Sequence, residues 1–307
     1  MLKYSKALGL VVFVFLFAMC NQKSKSETEK ETILKGSLDI AVDETVKQIV
    51  DDQVAVFEGT YYNAKITVKP NSEAEVINDL LNQKTKVAIT TRDLTAEEKA
   101  RFDKSKINPR VTPFAHDAIA FISSKSNNDT LIALKTVIDF MQGKTDGKIK
   151  GLVFDNPNSS TVRYMKELAK VNEIPKSGVF SFKTNNEVIK FVSENEGMIG
   201  VIGINWFYQP TPDMTETINK INVLYVKGLN SNEYYSPTQN DLEIGKYPLA
   251  RDLFIINCQG YSGLGMGFAS FIAGDIGQRI VLKSGLLPYK TPGRKLKIRS
   301  EIIKDKE

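Results

Sequence analysis

The chain has 307 residues, 42% hydrophobic and 25% charged, which excludes a disordered, collagen-like or multi-span membrane protein. Its 41 Lys+Arg against 36 Asp+Glu give a formal charge of +5, a mild surplus that favours small anions and lacks the compact basic stripe of a nucleic-acid binder. One histidine, His116, and two cysteines, Cys20 and Cys258, leave no His-rich zinc site, no CxxC pair and no Ser-His-Asp triad on any other histidine, so neither metal nor cofactor is expected.

Lys3 and Lys6 precede an apolar run from Ala7 to Met19. That run makes about 20 Å of helix, short of the ~30 Å bilayer core, so residues 1–20 read as a secretory signal. Leu16-Phe17-Ala18-Met19-Cys20 resembles a bacterial lipobox, in which Cys20 becomes the lipidated first residue of the mature chain. Residues 21–33 are mostly polar and free of aromatics, so they are expected to form a flexible tether. With Cys20 carrying lipid, Cys258 has no partner and is expected as a buried free thiol.

Apolar runs rich in Val, Ile or Phe predict strands at Leu38–Val42, Lys65–Val68, Val87–Thr90, Ala118–Ser123, Gly151–Phe154, Met198–Ile202, Asn222–Val226 and Leu253–Asn257. Helical spacing falls between them. One apolar face (Val76, Ile77, Leu80, Leu81) follows Ser72 as a candidate N-cap, and a second (Val137, Ile138, Met141) closes at Gly143. A third (Val162, Met165, Leu168, Ala169) follows Ser159-Ser160-Thr161. A fourth (Val188, Ile189, Val192) takes Asn185 or Asn186 as its cap, and a last helix runs over about Gly267–Lys283. Gly263-Leu264-Gly265-Met266-Gly267 lacks the full GxGxxG pattern and reads as a flexible connection. The alternation predicts an α/β fold with largely parallel sheets; Pro109, Pro113, Pro237 and Pro248 mark two places where the chain could cross between lobes. His116 is assigned a structural role at such a crossing.

In open α/β sheets, ligands bind where strands end and helices begin. Four such loops are rich in donors: Val42-Asp43-Glu44-Thr45, Pro70-Asn71-Ser72-Glu73, Thr90-Thr91-Arg92-Asp93 and Asn156-Pro157-Asn158-Ser159-Ser160-Thr161. Unpaired N–H groups and the macrodipole at a helix start suit an oxyanion, and an arginine adds a planar fork. The same residue types also serve simply as N-caps, and Arg92 read alone fits a solvated surface equally well. Asp43 and Glu44 are adjacent carboxylates, but no further catalytic element accompanies them, so no enzyme is expected.

Seven segments, in order, are similar to the periplasmic phosphate-binding proteins of bacterial ABC importers. They are Lys86–Thr95, Asp117–Ile122, Thr136–Lys144, Asn158–Thr161, Glu196–Gly203, Tyr247–Ile255 and Gly277–Pro288. The resemblance implies a type II periplasmic-binding fold of two α/β lobes, 34–115 plus 252–307 and 116–251, joined by a hinge. It implies Thr45, Ser72, Thr91, Arg92, Ser159, Ser160 and Thr161 as the residues lining a phosphate cleft, and Asp93 or Glu44 as an acceptor for the proton of hydrogen phosphate. Ser160 stands where the family has glycine. The implied protein is a monomeric, lipid-anchored, extracytoplasmic carrier that passes inorganic phosphate to ABC permease subunits. The other reading is a lipoprotein that senses or scavenges sulfate, molybdate or an organic phosphate without transport.

Overall fold

The structure is a computed structural model that describes residues 31–144, 147 and 149–293. The expected signal, Cys20 and all but the last residues of the tether lie outside the described residues; at 32–35 the chain closes a turn in which Thr32 N–H donates to the Lys35 carbonyl at 2.8 Å.

The strands are β1 (Gly36–Asp43), β2 (Ala64–Asn71), β3 (Val87–Thr90), β4 (Arg110–Ser124), β5 (Leu131–Ala133), β6 (Gly151–Phe154), β7 (Val179–Ser181), β8 (Met198–Gly203), β9 (Ile221–Val223), β10 (Tyr225–Lys227), β11 (Tyr234–Tyr235), β12 (Ala250–Asn257) and β13 (Leu287–Pro288). The longer helices are α1 (Lys47–Thr60), α2 (Glu73–Leu81), α3 (Ala96–Lys104), α4 (Leu134–Met141), α5 (Ser160–Ala169), α6 (Asn185–Glu194), α7 (Leu264–Ile272) and α8 (Asp275–Lys283).

The main sheet runs in the order β2-β1-β3-β12-β4-β8-β6-β7. Its flanks are parallel, as β-α-β alternation dictates: β1 pairs with β2 and β3, and β6 with β7 and β8. Its centre is antiparallel, because β12 returns between β3 and β4, and β8 runs against β4. Pairing changes along β4. Arg110–Ala118 pairs with β12, whereas Ile119–Ser124 pairs with β8 and β9. One strand therefore belongs to both halves of the sheet. Pro113 lies where the β4–β12 register slips between Leu253 and Phe254, a place where a residue without N–H is tolerated.

Apolar faces read from the sequence meet the sheet as periodicity requires. In the first half, Val76, Ile77 and Leu80 of α2 and Phe102 of α3 cover one face, over Ala41, Ala88 and Ile256. On the other face Phe57 of α1 packs edge-on against Phe268 and Phe271 of α7, with ring centroids 5.3 and 5.2 Å away. Aromatic pairs in this arrangement add about 0.5–1.5 kcal/mol each beyond buried area.

Several expectations about the elements change. The run Asn222–Val226 is two strands, because Leu224 N–H bonds to the Phe121 carbonyl and sends β9 to β4 and β10 to β5. The final helix is two, broken at Ala273-Gly274. The Gly263–Gly267 stretch is no flexible connection: α7 starts there, and a Cβ on Gly267 would lie 1.7 Å from the Ile33 carbonyl oxygen, a close packing only glycine allows. The cap of α6 is Thr184, in a capping box with Glu187, and Asn185 turns into the interior.

His116 makes a structural tie between strands: its Nδ1 lies 2.6 Å from Asp252 Oδ1 and so links β4 to β12. Cys258 is free but only half-buried, at the end of β12, and burial pushes its thiol up to about 12.

Candidate functional site

Three strand-ends and two helix starts bring most of the predicted residues to one seam between the halves of the sheet. The Thr45 and Ser160 hydroxyls are 3.0 Å apart although 115 residues separate them. Arg251 of β12 reaches both, donating from Nη1 to Ser160 Oγ at 2.9 Å and from Nη2 to Thr45 Oγ1 at 3.2 Å. Its Nε donates to Asp117 Oδ2 at 2.8 Å, a pair in which the two side chains are 2% and 0% exposed. Trp206 Nε1 donates to the Thr45 carbonyl at 2.9 Å. Gly203 lets that carbonyl approach, since a Cβ there would stand 2.8 Å from it.

The start of α5 forms a second group. Ser159 is its N-cap, accepting from Val162 N–H at 3.3 Å. Ser159 and Thr161 also donate their hydroxyl protons to Asp155 Oδ1, both at 2.5 Å. Asn185 Nδ2 bridges Asp155 Oδ2 at 3.3 Å and Glu44 Oε2 at 2.7 Å, tying β6 to the loop after β1.

A third group gathers on Glu73, the first residue of α2. Thr91 donates from its hydroxyl at 2.9 Å and from its N–H at 3.3 Å to Glu73 Oε1, and Arg163 of α5 pairs with Glu73 through Nε. Arg92 lies beside them but sends its fork to Glu98, with both contacts at 2.8 Å and its Nε 3.8 Å from Glu73 Oε2. Ser72 occupies the cap position of α2 without capping it; its hydroxyl donates to Glu75 at 2.8 Å. Asp93 binds Lys99 at the surface. Beside the Glu73 group a cavity of about 640 Å³ is lined by Arg92, Ser159, Arg163, Lys166 and Lys170. A backbone bond from Ala74 N–H to the Asn158 carbonyl at 3.3 Å closes the seam near it.

The electrostatics are dominated by buried carboxyls. Burial pushes Glu44 up to about 8, with the Asp155 carboxylate adding to it. Burial also raises Asp43, Asp155 and Asp117, against the lowering pull of Arg251 on all three. Asp43 Oδ2 and Asn185 Oδ1 are buried acceptors that meet no donor among the described residues. No group of His, Cys, Asp and Glu among the described residues is arranged to hold a metal ion. What these side chains offer is a set of hydroxyl, guanidinium and helix-terminal donors for an anion, with acceptors for any proton it carries.

Of the residues expected at the site, Thr45 and Ser160 meet directly, Ser159 and Thr161 share Asp155, and Thr91 joins through Glu73 and Arg163. Ser72 and Arg92 stand at the edge. The sequence reading missed Arg251, Asp117, Asp155, Glu73 and Arg163 as site residues. Arg251 and Asp117 lay inside two of the seven similar segments, and their adjacent strands were the available signal.

The fold and this seam define a binding protein of the two-lobed periplasmic type. The chain belongs to the PBP superfamily, whose domain model matches residues 26–275. A curated relative, the phosphate-binding protein PstS of Borreliella burgdorferi, is 28% identical over 308 residues, covering 93% of this chain and all of that protein. The solved PstS from Borrelia burgdorferi is 26% identical with a TM-score of 0.51, across 84% of this chain and all of that one. An ABC-type phosphate transport receptor from Vibrio cholerae gives a TM-score of 0.62 at 16% identity, across 82% of this chain and all of that one. A protein from Clostridium perfringens solved with bound phosphate gives 0.68 at 19% identity, across 83% of this chain and all of that one.

Proposed function

We propose that this protein is the extracytoplasmic phosphate receptor of an ABC importer: it captures inorganic phosphate between two lobes and releases it unaltered to the permease. The observation that carries the reading is the meeting of Thr45, Ser160 and Arg251, from three distant parts of the chain, at a helix start. The names of the relatives support the choice of phosphate. The two lobes correspond to the parts of the sheet on either side of the change in pairing along β4, so, among the described residues, 34–115 with 252–293 move against 116–251 about β4 and β12. Closure of one on the other couples occupancy to shape, which a membrane partner reads.

In this reading Thr45, Ser72, Thr91, Ser159, Ser160 and Thr161 line the cleft, Arg92 stands at its mouth and Arg251 supplies the inner guanidinium. Asp43, rather than the surface Asp93, is the acceptor for the proton of the anion, because its Oδ2 is buried without a donor. Sulfate offers no such proton at neutral pH, which favours phosphate. Nothing in this donor set performs chemistry on the ligand, so the protein acts as a carrier and not as an enzyme. A lipid on Cys20 would tie it to a bacterial membrane, facing the periplasm or the cell exterior; among the described residues no helix is long and apolar enough to cross one.

Calorimetric titration of the ligand-stripped protein tests this. Phosphate is expected to bind and sulfate to bind at least tenfold more weakly. Binding of sulfate or molybdate in preference to phosphate would overturn the choice of ligand, and phosphate-ester turnover would overturn the carrier role.

A further inference from the structure

We propose that Asp155 is a competitor built into the binding seam: its carboxylate holds the Ser159 and Thr161 hydroxyls that the ligand needs, so the anion binds only as Asp155 takes up a proton. The inference rests on the phosphate reading above.

Each hydroxyl has one proton to donate. The Ser159 and Thr161 hydroxyls both lie 2.5 Å from the same oxygen, Asp155 Oδ1, and 2.8 Å from each other, so their two protons are held within this group, and Asn185 occupies the other oxygen at 3.3 Å. Asp155 directly follows β6, four positions before the cap of α5, and the intervening turn folds its carboxyl back onto the start of that helix. The side chain is 1% exposed. It is therefore a negatively charged group docked on the hydroxyls and macrodipole that attract an oxyanion, as a bound ligand would be.

The charged groups that face Asp155 are Glu44, from the loop after β1, and Arg251, from β12. Arg251 is already paired with Asp117. A multiply charged phosphate placed here with Asp155 ionised would meet that carboxylate, a Glu44 carboxyl held up to about 8 and one committed guanidinium. A proton on Asp155, taken from solvent or from dihydrogen phosphate, removes one negative charge, frees both hydroxyls and turns the carboxyl into a donor. Uptake of the anion and uptake of the proton are thereby linked, and an oxyanion with no proton to bring is disfavoured.

The test is calorimetric titration with inorganic phosphate and with sulfate at pH 6 and pH 8, on the native protein and on Asp155→Asn and Asp155→Ser. Thermal unfolding of each variant reports that it is folded. The native protein is expected to bind phosphate at least tenfold more tightly at pH 6 than at pH 8. Both variants are expected to bind phosphate at least tenfold more tightly than the native protein at pH 8, to show a smaller pH dependence than the native protein, with Glu44 supplying the remainder, and to gain affinity for sulfate. Native binding with folded variants that bind phosphate equally or less tightly overturns the competitor role alone. Equal native affinity at pH 6 and pH 8 overturns it as well, without recourse to any variant. If native protein and variants bind neither anion, this inference and the phosphate reading fall together.

Discussion

Replacing Arg251 by methionine keeps an unbranched stem and removes the guanidinium and its charge from the middle of the seam. Arg251 and Asp117 are almost wholly out of solvent, with the closer contact at 2.7 Å, so the substitution leaves a buried carboxylate without its partner. Breaking such a pair from one side costs about 3–5 kcal/mol, more than most single substitutions. The loss depends on pH with a definite sign. Burial raises the Asp117 carboxyl and Arg251 opposes the rise; without Arg251 the folded-state value climbs further. A carboxyl raised in the folded state loses stability as pH rises from its ordinary value through its folded one. The deficit of Arg251→Met against the native protein is therefore smallest near pH 4 and largest near pH 8. Urea unfolding at both pH values measures it, and Asp117→Asn added to the variant is expected to recover at least about half of the loss at pH 8. A deficit below about 1 kcal/mol, or no recovery in the double variant, would refute the claim that a buried ion pair organises the seam.

Three further outcomes are expected. Glu44→Gln removes a group raised from 4.5 to about 8, whose ionisation costs stability across that window. The window gives an upper bound of about 5 kcal/mol, roughly halved because solvent reaches part of the side chain, so urea melts should show the variant about 2 kcal/mol more stable than native at pH 8 and equal to it near pH 4.5. Ser160→Ala deletes the acceptor of Arg251 Nη1 and the partner of Thr45. Calorimetry should find phosphate bound roughly tenfold more weakly, with stability lower by about 1–2 kcal/mol. Gly277→Ala places a methyl 2.4 Å from the Phe271 and Ile272 carbonyl oxygens in the corner between α7 and α8, and thermal melts should show a loss above about 2 kcal/mol.

Strand and helix identity was legible because it is local. Alternating or continuous apolar runs fit a covered sheet, and the 3.6-residue spacing of Val76, Ile77 and Leu80 fits a helix on its face. Boundaries that depend on distant partners were not legible: the break between β9 and β10 follows from Leu224 meeting Phe121, a hundred residues earlier. The cap of α6 failed for a related reason. Asn185 is the better cap by residue type, but the interior claimed it to bridge Glu44 and Asp155 and left the cap to Thr184.

Hydroxyl-bearing helix starts betrayed where a ligand could sit, because unpaired N–H groups at a strand-to-helix loop make the same demand wherever they occur. Their charged partners stayed hidden. Arg251, Asp117 and Asp155 read as ordinary strand-end residues, and only the antiparallel return of β12 alongside β4 brings a guanidinium to two hydroxyls carried by other loops. Sequence alone thus settled which segments pair inward and which present donors, since both follow from spacing within a dozen residues. The tertiary structure decided which charges face one another, because strand order across a sheet is set by packing between segments far apart in the chain.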